Sequence, residues 1–197
     1  MDASWAALNA EIAACRRCAL AQGILNKVLG QGNPHARLML IGEGPGAEED
    51  RQGLAFVGAA GQLLTRMLQA IGLEREEVFI ANIVKCRPPG NRVPLPAEAA
   101  ACLPFLRRQY SLLLPRVILL LGATALRAVL GEEKRITACR GQWTLSKGVW
   151  ILPTFHPAAL LRDPSKKRDA WADLQAVRDK LAGLADVPAA TGNESAR

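Results

Sequence analysis

A few residues near the ends of apolar runs could carry most of the chemistry of this sequence. His156, one of only two histidines, directly follows such a run. As a neutral or cationic donor, it could stabilise negative charge that develops on a leaving group. Asn82 lies inside another apolar run, where a buried amide needs partners for its donor and its acceptor and could read the edge of a planar base. The alternative for both residues is a purely structural side chain.

Residues 42–47 read GEGPGA after an apolar run and so satisfy the G-x-G-x-x-G/A dinucleotide fingerprint. That fingerprint requires a helix that begins at once, because the helix N-terminus holds the pyrophosphate. Here a helical pattern begins only after Gly58, and three consecutive acids at 48–50 would repel a pyrophosphate. A tight turn that presents Glu43 in a cleft is therefore preferred. Phe56, in the same loop, either anchors the loop or stacks on a base.

Five cysteines indicate a metal site or buried thiols rather than a disulfide framework, because the number is odd and no signal peptide is recognisable. Cys15 and Cys18 form a C-x-x-C pair, whereas Cys86 and Cys102 lie far downstream. Four thiolates can hold zinc or an iron–sulfur cluster. The spacing leaves zinc, an iron–sulfur cluster and inert burial open, and Cys139 is expected to be unligated.

Composition points to a globular protein with a polyanionic partner. The 197 residues include 25 Lys and Arg against 18 Asp and Glu, which gives a net charge of +7. A hydrophobic fraction of 50% excludes wholesale disorder, and the apolar runs fall far short of the roughly 18 residues of a membrane helix. We expect a cytoplasmic protein without a membrane segment. The basic residues cluster only at 162–168, which is either a solvated face or a phosphate-binding surface.

Apolar periodicity predicts alternating strands and helices, and hence a parallel sheet covered on both faces. Ligands in such folds lie beyond the carboxyl ends of the strands. We expect one domain over residues 1–185 and a disordered tail at 186–197. The predicted strands are 37–42, 78–84, 117–121 and a strand or hairpin within 143–154; the predicted helices are 5–20, 61–71, 96–112, 123–130 and 165–184.

Together these segments resemble family 4 uracil-DNA glycosylases, the iron–sulfur type of bacteria and archaea. Each motif is weak alone, but jointly they are specific, because they occur in the order of the family over roughly residues 10–180 with cysteines in its four positions. The matching segments are GEGPG (42–46), EDRQG (49–53), FVG (56–58), GQLL (61–64), NIVKCRPPGN (82–91) and, at 156–162, HPA followed by LR.

The resemblance implies an α/β fold, a three-layer α/β/α sandwich around a mainly parallel sheet of about four strands. It implies hydrolysis of the N-glycosidic bond between uracil and deoxyribose, after the nucleotide flips out of single- or double-stranded DNA. The protein would act as a monomer and leave an abasic site. The resemblance also implies a structural 4Fe–4S cluster, held by Cys15, Cys18, Cys86 and Cys102.

Residue roles follow by similarity. Phe56 would stack on the flipped uracil, Asn82 would read its polar edge, and His156 would stabilise negative charge on the departing base. Glu43 would hold or activate the attacking water. The close approach of backbone to the base, which glycine permits, would fall at Gly42 and Gly44.

DNA contacts are expected just after the histidine motif. Leu160, Leu161 or Arg162 would wedge into the gap in the base stack, and Lys166 and Lys167 would contact phosphates. One departure concerns the turn, where family 1 relatives carry an aspartate at the position of Gly44. The water-activating role given to Glu43 is therefore not supported by a match to family 1 at this turn.

Two alternatives to the hydrolase remain. A relative that traps its product covalently uses a histidine in a basic loop insertion, but the segment after Cys86 is rich in proline and has no histidine before the C-terminal motif. A non-catalytic nucleic-acid-binding module with a four-cysteine site predicts bound zinc, no base release and no effect of His156→Ala.

Overall fold

The computed structural model describes residues 3–184, so the predicted tail lies outside the described residues. The strands are β1 (Gln31–Gly32), β2 (Leu38–Gly42), β3 (Phe79–Asn82), β4 (Val117–Leu121), β5 (Thr144–Ser146) and β6 (Val149–Thr154). The helices are α1 (Ala3–Ala14), α2 (Ala47–Gln52), α3 (Ala59–Gln69), α4 (Pro96–Leu113), α5 (Ala123–Leu130), α6 (Ile136–Cys139), α7 (Pro157–Arg162) and α8 (Lys167–Gly183). None of these helices is long and apolar enough to cross a membrane.

One sheet organises the described residues, with the strand order β1-β3-β2-β4-β6-β5. The four inner strands are parallel to their neighbours, whereas β1 and β5 pair antiparallel at the two edges. The predicted parallel sheet and the hairpin around Gly148 are confirmed. The sheet has six strands instead of about four because each edge carries one short additional strand.

Helices cover both faces of the sheet, as a parallel sheet requires. All residues of β2 and β4 are buried, and alternate side chains enter two separate cores. Met39 and Ile41 face the core formed with α1, α4 and α5, whereas Leu38 and Leu40 face the core formed with α3, α7 and α8. The predicted three-layer α/β/α architecture is therefore confirmed.

Two local predictions are wrong. The first helix ends at Ala14, not at residue 20, so the C-x-x-C pair follows the helix. In addition, α2 begins directly after Gly46, where the sequence suggested an irregular loop. The acids at 48–50 stabilise this start because negative side chains interact favourably with a helix N-terminus. The Glu49 carboxylate accepts the Gly46 N–H at 3.1 Å and so occupies the position that a pyrophosphate would need.

Candidate active site

The carboxyl ends of the parallel strands border a cavity of about 610 Å³. The chain runs from β2 to β3 on one side of β2 and then returns to place β4 on the other side, and such a switch point is where open α/β sheets bind ligands. Most of the predicted catalytic and base-binding residues line this cavity, namely Glu43, Gly44, Phe56, Asn82 and His156, and so does Arg162.

Gly42 forms the floor on which two of these side chains meet. It pairs with Asn82 across β2 and β3. A Cβ atom at Gly42 would lie 2.5 Å from Asn82 Oδ1 and 2.6 Å from the Phe56 ring, so only glycine allows both side chains to close over this strand end.

The Asn82 amide presents an unused acceptor. Its side chain is buried, and Oδ1 has no hydrogen-bond partner within the described residues. An unpartnered buried polar atom costs about 1–3 kcal/mol, and native proteins rarely accept that cost without a ligand or a water to satisfy the atom. This oxygen is therefore suited to a ligand that offers an N–H group.

The Phe56 backbone is held from two directions. It adopts a left-handed φ of 53°, which is uncommon for a residue other than glycine. Arg75 donates to the carbonyls of Ala55 and Phe56 at 2.6 and 3.1 Å. Glu49 accepts the N–H groups of Val57 and its successor, both at 2.8 Å. These contacts offset the strain and fix the aromatic ring in the cavity wall.

His156 is a neutral donor at physiological pH. Its Nδ1 accepts the Ala158 N–H at 3.1 Å, which places the ring proton on Nε2. Burial lowers the pKa of His156 to about 4, the Arg162 cation acts in the same direction, and the Glu49 carboxylate opposes both. The ring lies 5.6 Å from that of Phe56, centroid to centroid.

Glu43 follows β2 directly and is oriented by a residue of α5. Its Oε2 accepts a hydrogen bond from the Thr124 hydroxyl. Both residues line the cavity, and α5 begins there because the turn at Gly122 has a φ of 92°. The contact leaves Oε1 of the carboxylate available to a bound water or ligand.

Comparison with known proteins decides the family. Residues 29–175 match the model of the uracil DNA glycosylase superfamily. The chain belongs to the uracil-DNA glycosylase superfamily. It is 48% identical over 157 residues to the type-4 uracil-DNA glycosylase of Thermotoga maritima, and the aligned residues make up 78% of this chain and 81% of the relative.

A second type-4 relative of this superfamily, from Sulfurisphaera tokodaii, is 42% identical over 181 residues, or 87% of this chain and 82% of its own. A type-5 uracil-DNA glycosylase of Pyrobaculum aerophilum is 33% identical over 146 residues, 66% of this chain and 64% of its own. The resemblance to type-4 members is confirmed.

In this superfamily member, α7 extends from the histidine along the rim of the cavity. Leu160 is only 2% exposed and packs in the core, so it is the least accessible of the three residues predicted to wedge into DNA, and the wedge stays a prediction. Leu161 is 44% exposed and Arg162 is exposed at the rim. Lys166 forms an ion pair with Asp163 at 3.0 Å, whereas Lys167 is exposed without an ion pair among the described residues.

The four cysteines gather at the core formed with α1, α4 and α5, away from the cavity lining. Cys86 and Cys102 are buried, and Cys15 and Cys18 are half-buried against them. Burial, followed by the influence of Cys102, raises the pKa of Cys86 to about 12. Cys15 and Cys18 raise this pKa as well. Within residues 3–184, no group of three or more potential ligands already has the arrangement of a single-ion site.

Sequence reasoning missed three residues that orient the site. Glu49 was given no role of its own beyond the acidic run and the matching segment EDRQG, and its three backbone contacts are visible only in the fold. Arg75 lies nineteen positions after the loop it holds. Thr124 is the second residue of an ordinary helix, and only its position two residues after Gly122, which directly follows the strand, could have drawn attention to it.

Proposed function

We propose that this protein is a DNA-repair hydrolase that cleaves the N-glycosidic bond of uracil in DNA, releases free uracil and leaves an abasic site. The observation that carries the proposal is the buried, unpartnered Oδ1 of Asn82 beside Gly42 and Phe56. Kinship with type-4 uracil-DNA glycosylases gives independent support.

Uracil suits this acceptor because its N3 carries a hydrogen. Cytosine offers an unprotonated N3 at the same place and would leave Oδ1 without a donor. A site built to pair a polar group rejects an analogue that lacks the partner much more strongly than an apolar pocket can. Asn82 would therefore select the base, while the Phe56 ring provides a stacking surface.

Departure of the base develops negative charge on uracil. His156 would donate its Nε2 hydrogen to that charge, and it can do so as a neutral imidazole, since its pKa lies near 4. A preorganised donor of this kind stabilises the transition state by roughly 3–4 kcal/mol in known enzymes. The histidine keeps its proton, and uracil leaves as an anion.

Glu43 would hold the attacking water with the carboxylate oxygen that Thr124 leaves available. The water oxygen forms the new bond to C1′ of deoxyribose as the bond to the base breaks. A proton of the water passes to the Glu43 carboxylate, so charge and atoms balance. Gly44 keeps the adjacent backbone free of a side chain, because a Cβ there would contact Val84 at 2.7 Å.

The uracil must leave the base stack to reach this cavity. Leu161 and Arg162 are exposed on α7 after His156, which supports a role for either in filling the gap, and Lys166 and Lys167 would contact the phosphates. Single-stranded and duplex DNA are both candidate substrates. Monomeric state and cytoplasmic location remain predictions.

The cysteine set fits an iron–sulfur cluster in chemistry, since Cys15, Cys18, Cys86 and Cys102 converge from three chain segments on one buried region. A cubane is larger than a single ion, so its thiolates need not approach one another as closely as the ligands of zinc. The cluster would supply structural cross-linking rather than chemistry, because hydrolysis requires no electron transfer. We expect anaerobically purified protein to be brown and to contain about four iron atoms per chain; zinc without iron would contradict this assignment.

The function is tested by following over time the release of free uracil from an oligonucleotide that contains uracil, either single-stranded or paired with G or A. We expect uracil in solution and alkali-labile DNA, with both strongly reduced for Glu43→Gln and His156→Ala. Tight binding without release would favour the non-catalytic module. A protein–DNA adduct that survives denaturing electrophoresis would favour the covalent trap.

A further inference from the structure

Lys85 is a fully buried lysine for which the proposed reaction has no use. It is 1% exposed and lies three residues after Asn82. Its ammonium donates to the Asn82 carbonyl at 2.9 Å and to Oε1 of Gln109 at 2.7 Å. Lysine is almost never fully buried unless it is paired, so a buried ammonium with two directed bonds calls for an explanation.

The contact replaces a missing strand partner. β1 pairs only with Phe79 and Ile80 of β3 and does not continue beside Asn82. On the other side, the end of β3 is held to β2 through the bond from the Ile83 N–H to the Gly42 carbonyl. Lys85 therefore fixes the strand end at a point that the sheet leaves unsupported.

Gln109 connects this contact to the rest of the molecule. It is 0% exposed, lies on α4 and donates to the Leu29 carbonyl. Val28, the preceding residue, donates its N–H to the Lys85 carbonyl at 2.8 Å. α4 also carries Cys102, one of the four cysteines. The strand end that carries Asn82 is thereby joined to the helix of the cysteine region.

We propose that Lys85 is a positioning residue for base recognition: by binding the Asn82 carbonyl and Gln109, it holds the Asn82 amide in the orientation that accepts the uracil N–H. The inference rests on the proposed function and adds a route by which the cysteine region sets the geometry of the base reader. The residue touches neither substrate nor the reacting atoms.

The experiment compares Lys85→Met with Lys85→Met/Gln109→Leu. The single variant leaves the Asn82 carbonyl and the Gln109 oxygen unpartnered. The double variant removes the Gln109 oxygen but also the Gln109 bond to the Leu29 carbonyl, so it should regain only part of the lost thermal stability. We expect both to raise the inhibition constant of free uracil and the KM of a U-containing oligonucleotide about tenfold, a factor equal to about 1.4 kcal/mol, with a smaller change in kcat.

Lys27→Met is the matched control. Lys27 is also near the cysteines, where it lowers the pKa of Cys86, but its ammonium donates to the Ala13 carbonyl and not to Asn82. We expect its uracil inhibition constant to equal that of the wild type. Uracil binding to the wild type and the variants can also be compared without turnover, by measuring how much free uracil raises the Tm of each protein.

An unchanged uracil inhibition constant in Lys85→Met would overturn the inference. A double variant in which both the inhibition constant and the thermal stability return to wild-type values would overturn it as well. If the single variant does not fold, the double variant alone decides. A wild-type protein that releases no uracil would instead contradict the proposed function, so the two failures are distinguishable.

Discussion

The hydrogen bond from Thr124 to Glu43 orients the carboxylate that would hold the attacking water, so its loss should lower the rate of uracil release. A hydrogen bond to a charged group contributes about 1.5–3 kcal/mol, and Thr124 gives the Glu43 carboxylate such a bond from α5. Thr124→Val keeps the shape but removes the hydroxyl. We expect kcat for uracil release to fall roughly 10- to 100-fold with little change in KM, as measured in single-turnover and steady-state assays.

Thr124→Ser supplies the control, because it restores the hydroxyl without the methyl group. We expect it to retain most of the wild-type kcat. If the serine and valine variants were equally slow, the loss would come from packing at the start of α5 rather than from orientation of Glu43.

The low pKa of His156 links stability to pH. The pKa falls from 6.5 to about 4 on folding, so between these values the unfolded chain binds a proton that the folded protein does not. The free energy of unfolding therefore decreases as pH falls through this window, by about 2 kcal/mol between pH 7 and pH 5 from this group alone. His156→Gln should flatten that part of the curve.

Urea unfolding of both proteins at several pH values provides the measurement. Parallel curves for wild type and His156→Gln would contradict a pKa of His156 near 4 in the folded protein. The same neutral state predicts that kcat of the wild type shows no titration near pH 6.5.

At the scale of elements, the strand that leads to His156 depends on a buried ion pair. Asp173 of α8 is 2% exposed and accepts hydrogen bonds from the Thr154 hydroxyl, at 2.6 Å, and from Nε and Nη2 of Arg140. Removal of one charge from a fully buried pair typically costs 3–5 kcal/mol. Arg140 is 22% exposed and also lies 3.8 Å from Asp169, so we expect a loss near the lower end of that range. We expect Asp173→Asn to lower Tm by about 10 °C in thermal unfolding.

Asp179→Asn is the comparison on the same helix. Asp179 pairs with Arg178, but the two side chains are 67% and 47% exposed, and such surface pairs contribute little. Its Tm should stay within about 2 °C of the wild type. Equal shifts in the two variants would mean that the loss of any acid from α8, and not the buried pair, determines stability.

The elements also explain how far the sequence could predict the fold. Residues 117–121 and 123–130 were predicted with their observed bounds, because an apolar run closed by glycine and a short helix capped by glycine are strong local signals. α2 was missed because its sequence AEEDRQ has no apolar stripe and is fixed by capping. β1 has two residues, too few for a pattern.

The candidate site divides in the same way. Asn82 and His156 could be proposed from their places at the ends of apolar runs. The orphaned oxygen of Asn82, the tautomer of His156 and the ties made by Lys85 depend on register and on contacts between distant segments, which the sequence does not encode locally.

For the molecule as a whole, the net charge of +7 should govern affinity for DNA through release of counterions. Lys167 stands exposed at the start of α8, close to the cavity rim carried by Arg162. Lys147 carries the same charge but lies in the turn between β5 and β6, at a separate cavity of about 210 Å³. The two lysines differ in position and not in their effect on total charge.

That pair separates a local phosphate contact from general attraction. With Glu43→Gln as a background that binds uracil-containing DNA without turnover, the logarithm of affinity should fall linearly with the logarithm of salt concentration. Lys167→Ala should reduce the magnitude of that slope by about 1, whereas Lys147→Ala should leave it unchanged. Equal reductions of the slope would mean that DNA affinity depends on the overall charge and not on a local contact. No reduction in either variant would mean that the phosphates do not contact the start of α8.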